Sequence, residues 1–169
     1  MKNLLLSLII TAAFGAVEAQ SAYDVQPVTT NSFYLELGGQ GFLYTFNYDL
    51  RLDRSHVDGL GFRMGMGGIA VNDFSFFTLP LAVNELLGKN GKYFEASAGP
   101  TFVFGSDYLF TDENPANFYL IGSIYVGYRS QPSDGGFVFR AGIPMNFGRI
   151  AGQTFVLPYP PGVSFGFCF

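Results

Sequence analysis

The chain has 169 residues, of which 49% are hydrophobic, 18% aromatic and only 13% charged, a composition that excludes an intrinsically disordered or highly charged binding protein. Its formal charge of −4 and pI near 4.7 exclude a nucleic-acid partner, because neutralising phosphates needs clustered Lys and Arg. One Cys gives no internal disulfide framework and one His gives no imidazole pair, so neither a metal nor a cofactor is expected, and the length fits one domain.

The chain opens with Lys2, continues through the apolar stretch Leu4 to Ala13, and reaches Val17-Glu18-Ala19, the small-x-small pattern that precedes a leader cleavage point. Cleavage is expected after Ala19, which makes residues 1–19 a signal peptide. As an anchor the stretch is too short, since crossing ~30 Å of hydrocarbon at ~1.5 Å per residue takes a longer helix. Residues 20–31 are polar, contain Pro27 and lack periodicity, and are read as a flexible periplasmic lead-in to a domain spanning 32–169.

From there the pattern has period two, the signature of strands with one apolar and one polar face. In chain order, the apolar faces are Phe33-Leu35-Leu37, Tyr44-Phe46-Tyr48-Leu50-Leu52, Leu60-Phe62-Met64-Met66 and Phe77-Leu79-Leu81-Val83. Four more follow: Phe94-Ala96-Ala98-Pro100-Phe102, Phe118-Leu120-Gly122-Ile124-Val126-Tyr128, Phe137-Phe139-Ala141-Ile143-Met145-Phe147 and Val163-Phe165-Phe167-Phe169. Turn-like segments are expected at Asp53 to Asp58, Glu85 to Gly91 and Ser130 to Gly135, and longer irregular ones at Gly105 to Asn117 and Gly148 to Gly162. An even strand number with short connections predicts antiparallel neighbours closed on themselves, because an open sheet this apolar would expose its edges.

The charges decide which face looks inward. Glu36, Asp49, Arg51, Arg63, Glu95, Arg129 and Arg140 fall on the polar face, and the other charges downstream of the leader are assigned to connections or the lead-in, with none on the apolar face. A soluble lipocalin-like carrier would put many Lys and Glu on its solvent side, whereas these polar positions are mostly Gly, Ser, Thr and Asn. The expectation is therefore an all-β, eight-stranded antiparallel up-and-down transmembrane barrel with its apolar face toward lipid. Its lumen would be plugged by the seven ions, since eight strands leave an interior only wide enough for side chains. Pro80, Pro100 and Pro144 lie inside strands, where bulges or strand shifts are expected.

The terminal run Val163-Ser164-Phe165-Gly166-Phe167-Cys168-Phe169 resembles the C-terminal signature of outer membrane barrels. In that family, an alternating aromatic strand ending in Phe is recognised by the barrel-assembly machinery, and the resemblance gives Phe165, Phe167 and Phe169 that role. Leu35-Glu36-Leu37-Gly38-Gly39-Gln40-Gly41 with Tyr44 and Asn47-Tyr48-Asp49 is similar to the start of small outer membrane barrels of the Bacteroidetes type. Gly127-Tyr128-Arg129 with Gly135-Gly136-Phe137-Val138-Phe139-Arg140-Ala141-Gly142 resembles their sixth and seventh strands. The resemblance implies a Gram-negative outer membrane location with outer membrane lipid as the surroundings, and it supplies no catalytic residues.

Candidate chemistry is sparse. Ser55-His56 with Asp53 and Asp58 could be read as a nucleophile, base and acid of a lipid-modifying enzyme, but the cluster sits in a tight turn where adjacent side chains are expected to point apart. Gly59, Gly61, Gly65, Gly67 and Gly68 follow strand periodicity with no helix after them, so they are read as small lumen residues and not a phosphate loop. Cys168 is read as a small inward residue. The long connections carry Tyr108, Phe110, Phe155 and Tyr159 with Asp107, Asp112 and Glu113, an expected contact surface for an extracellular or envelope protein. The reading is a structural or interaction protein without catalysis; the alternatives are a lipid-modifying enzyme, a narrow ion or solute pore, and, third, the secreted lipocalin-like carrier.

Overall fold

The structure, a computed structural model, describes residues 28–71, 74–105, 118–150, 153–158 and 160–169. Residues 1–19, expected to be a signal peptide, and most of the expected lead-in lie outside the described residues, as do Asp107, Tyr108, Phe110, Asp112, Glu113 and Tyr159.

The strands are β1 (Asn31–Leu37), β2 (Tyr44–Arg51), β3 (Gly59–Val71), β4 (Phe74–Lys89), β5 (Lys92–Gly105), β6 (Phe118–Ser130), β7 (Gly136–Ile150), β8 (Gln153–Pro158) and β9 (Gly162–Cys168). Each of β1 to β7 pairs antiparallel with its neighbour in the chain, and β9 closes the ring between β7 and β1. The closed up-and-down barrel of eight strands is as expected, and the ring leaves no edge open to pairing. Period-two patterning has turned Phe33, Phe46, Met64, Phe94, Ile124, Phe137 and Phe167 outward, exposed, while Tyr34, Asn47, Arg63, Glu95, Tyr125, Arg140 and Cys168 point inward, buried.

Three expectations about the strands are corrected. First, the segment from Gly148 to Gly162 is not wholly irregular: β7 continues to Ile150, and β8 folds back on it in register from Met145↔Pro158 to Ile150↔Gln153. Among the described residues β8 pairs with β7 alone, so this hairpin extends past the ring without joining it. Second, Glu85 to Gly91 is mostly strand. The turn is confined to Asn90 and Gly91, whose φ angles of 56° and 74° make it a type I′ hairpin turn, the geometry that Asn-Gly favours because it matches the strand twist. The lengthened strands carry Glu85, Lys89, Lys92 and, at the other end, Arg149 onto the outward face. That face is thus not free of charge, but its charges sit near strand ends, where polar heads reach water.

Third, no strand shifts at the prolines. β5 pairs with β6 without interruption through Pro100↔Gly122, and β6 with β7 through Tyr125↔Pro144. Opposite Pro80 the β3–β4 ladder opens, yet Met64↔Leu81 and Gly67↔Thr78 keep one register on either side. Proline removes a donor but leaves φ compatible with an extended strand, so a bond is lost and the alignment is kept.

Candidate functional site inside the barrel

All seven inward ions are at most 2% exposed, and their contacts form one alternating chain. It starts at Arg51, whose Nη2 is 2.5 Å from Asp49 Oδ1; Asp49 Oδ2 is 3.2 Å from Arg129 Nη1, which lies 3.8 Å from Glu95 Oε2. Glu95 Oε1 accepts from Arg140 Nη2 at 2.6 Å, with Arg140 Nε donating to Oε2 at 2.8 Å, a two-pronged pair of the strong kind. Arg140 Nη1 reaches Glu36 Oε1 at 3.3 Å, and Glu36 Oε1 lies 3.4 Å from Arg63 Nη1. Positive and negative groups alternate through four guanidiniums and three carboxylates, so the interior carries one excess positive charge.

The ion chain is built from six strands because each contributes inward positions at one or two heights. β2 presents Asp49 and Arg51 two residues apart on one face, whereas Glu36, Arg63, Glu95, Arg129 and Arg140 come singly from β1, β3, β5, β6 and β7. Neutral groups that the periodicity did not single out complete it. Asn84 accepts from Arg51 and donates to Asp49, Ser32 accepts from Arg129 Nη2 at 2.8 Å, and Ser164 accepts from Arg140 Nη1 at 3.2 Å. Two tyrosines supply ring faces: the Arg140 guanidinium lies 4.5 Å from the Tyr34 ring centre and 5.0 Å from that of Tyr125.

Sequence reasoning missed the connection between β1 and β2, which turns into the barrel. Gly38 and Gly39 have φ of 72° and 75°, and a Cβ on Gly39 would collide with the Glu36 carboxylate, so both positions call for glycine. The 3-10 turn Gly39–Gly41 is buried, and Gln40 reaches the ion chain. Its Oε1 accepts from Arg63 and, at 3.3 Å, from Ser97, while its backbone carbonyl accepts from Thr101 at 3.1 Å. At the opposite mouth, Val57, Leu86 and Tyr93 pack together with Val28, and Thr29 bonds across the opening to the Ser133 carbonyl at 2.9 Å.

The remaining sequence candidates do not converge with this chain. Ser55 and His56 do not point apart: Ser55 Oγ is 2.7 Å from His56 Nδ1, because the segment is a turn closed by Ser55 N and Oγ donating to Asp53 Oδ1. Those bonds from the Ser55 hydroxyl and then its backbone N–H hold the Asp53 carboxyl below its ordinary range. Asp53 also approaches Nδ1 of the histidine, at 3.4 Å, so serine and aspartate share one ring nitrogen and no relay runs through the imidazole. Asp58 is exposed at the end of the same turn, with no role in that contact set. Gly61, Gly65 and Gly67 are buried inward, but Gly68 faces outward, correcting its assignment to the lumen. Cys168 is buried, its thiol donating to the Pro132 carbonyl at 3.3 Å. Among the described residues no three His, Cys, Asp or Glu side chains are grouped to hold a metal.

An apolar outer wall around an ion-paired interior inverts the soluble barrel and defines a membrane β-barrel. The fold is similar to the N-terminal β-barrel domain of OprF from Pseudomonas aeruginosa, with a TM-score of 0.62 and 14% identity over 85% of this chain and 100% of that one. No family model matches the chain, and no curated protein does.

Proposed function

We propose that this chain is an outer membrane barrel with a structural or interaction role in the cell envelope, its lumen plugged and without catalysis. The observation that carries the reading is the unbroken alternation from Arg51 to Arg63, every member buried. Each of the three lumen carboxylates is held by guanidinium groups, and opening a path would strip charges of partners in a low-dielectric interior. In this reading residues 1–19 direct export, Phe165, Phe167 and Phe169 present the assembly signal, and a partner protein meets the loops at the end away from the termini.

Planar-bilayer recording tests it. The refolded wild-type barrel should give no sustained conductance. Sustained open channels in the wild type would overturn the plugged reading in favour of a pore.

A further inference from the structure

The outer wall holds a groove of about 560 Å³ centred on Gly68, at the end of the barrel away from the termini. Gly68 lies between two aromatic residues, Tyr44 on β2 and its cross-strand partner Phe77 on β4. Tyr44 stands edge-on to Phe46, with ring centres 6.2 Å apart, and donates its hydroxyl to the Gly68 carbonyl; Phe77 leans on Phe104 at 6.0 Å. These two pairs form walls, and Met66, Gly68 and Ala70 form the floor.

Outward glycines need not leave such a space. At Gly122 the ring of Phe147 occupies the volume a side chain would take, so the wall there is filled. At Gly68 a Cβ would first meet backbone, the Phe76 carbonyl oxygen at 2.5 Å and Phe77 Cα at 3.0 Å, and only then Cδ2 of the Phe77 ring at 3.3 Å. Here the rings flank the slot without entering it. Met66, Phe46, Phe77 and Phe104 are all exposed, so the groove opens on the lipid-facing wall and continues it.

We infer that this groove seats one acyl chain of a membrane lipid from the leaflet opposite the chain termini. From Met66 to Ala70 the floor runs roughly 14 Å along the strand at ~3.4 Å per residue, which at a strand tilt of ~40° is about 10 Å of depth and so lies within one leaflet of a ~30 Å hydrocarbon core. β3 is paired with β4 there, while its ladder with β2 stops at Phe46↔Met66 and the Tyr44 hydroxyl takes the Gly68 carbonyl beyond it; the exposed lining is otherwise rings and aliphatic groups, which a hydrocarbon chain covers without needing donors or acceptors. The gain over ordinary boundary lipid is packing: the chain touches walls and floor at once. The inference rests on the membrane reading of the barrel.

The test is native mass spectrometry of barrel reconstituted in phosphatidylcholine vesicles and then extracted into detergent. The heat-dependent gel shift reports folding separately. Wild type should retain one phospholipid, Ala70→Phe, which fills the floor from an exposed position, should retain none, and Ala98→Phe, which adds the same ring elsewhere on the wall, should behave as wild type. Equal retention by wild type and Ala70→Phe, or equal loss from both Phe variants, would overturn the groove. A barrel that stays outside the vesicles would instead overturn the membrane reading. Should Ala70→Phe fail to fold, a phosphatidylcholine with a photoactivatable acyl chain replaces it: adducts concentrated on Met66 and Phe77 support the site, and even labelling around the wall refutes it.

Discussion

Arg140 is the residue on which most of the interior converges. It holds Glu95 through two nitrogens and Glu36 through a third, donates to Ser164, and faces two tyrosine rings. Truncating one member of a buried pair leaves its partner charged and desolvated, so Arg140→Ala should lower unfolding free energy by about 3–5 kcal/mol. Arg140→Lys, which keeps the charge but loses the fork, should fall between it and wild type. Urea titration of the refolded barrel, followed by the gel shift, checks the order; an Arg140→Ala barrel as stable as wild type would show that the pairs contribute nothing. Gly39→Ala should also destabilise, since it combines a positive φ with the Glu36 carboxylate in the path of the new methyl.

At the scale of the element, period-two alternation was enough to read the face of every ring strand, because the inward positions gather the charged, amide, hydroxyl and small residues while the outward ones are mostly large and apolar, even though Leu86, Val103, Ile121 and Val138 also turn inward. It was blind to what lacks a period. The Gly39–Gly41 turn holds only small and amide residues, so nothing in Gly-Gln-Gly announces that it folds inward to meet Arg63. β8 was masked by the prolines around it, and the ends of β4 and β5 by Glu85, Lys89 and Lys92, charges that belong to strands outrunning the apolar band. Alternation also assigns a face without a partner: that Glu95 meets Arg140 depends on the register of β5, β6 and β7, which only the pairing of the strands reveals. The hairpin turn yields a direct expectation. Gly91→Ala, placed at a φ of 74°, should cost about 1–2 kcal/mol, measured by the same urea titration, while leaving the membrane-inserted fraction unchanged. For β9, deletion of Phe169 should leave refolding in detergent intact and reduce the folded fraction in cells. Equal loss in both settings would mean that Phe169 serves the fold and not its delivery.

For the whole molecule, the arithmetic of the lumen sets the sign of any current that could be forced through it. Four guanidiniums face three carboxylates, and none of these seven ions is more than 2% exposed, so mobile salt cannot balance the excess within the closed interior. Neutralising acids raises that excess: Glu36→Gln together with Glu95→Gln leaves Asp49 as the single carboxylate among four arginines. The surplus guanidiniums then repel one another at short range, where Coulomb energies exceed those in water several-fold. Relief comes by drawing in anions, which requires the side chains to part. The double variant should therefore give conductance where the wild type gives none, and that conductance should favour anions, since a narrow pore lined by arginines excludes cations. A reversal potential under a potassium chloride gradient reads the preference directly. Cation preference would show that the path does not run along the arginine chain, and a silent double variant would show that the inward Gln40 turn, rather than the ion pairs, keeps the barrel shut.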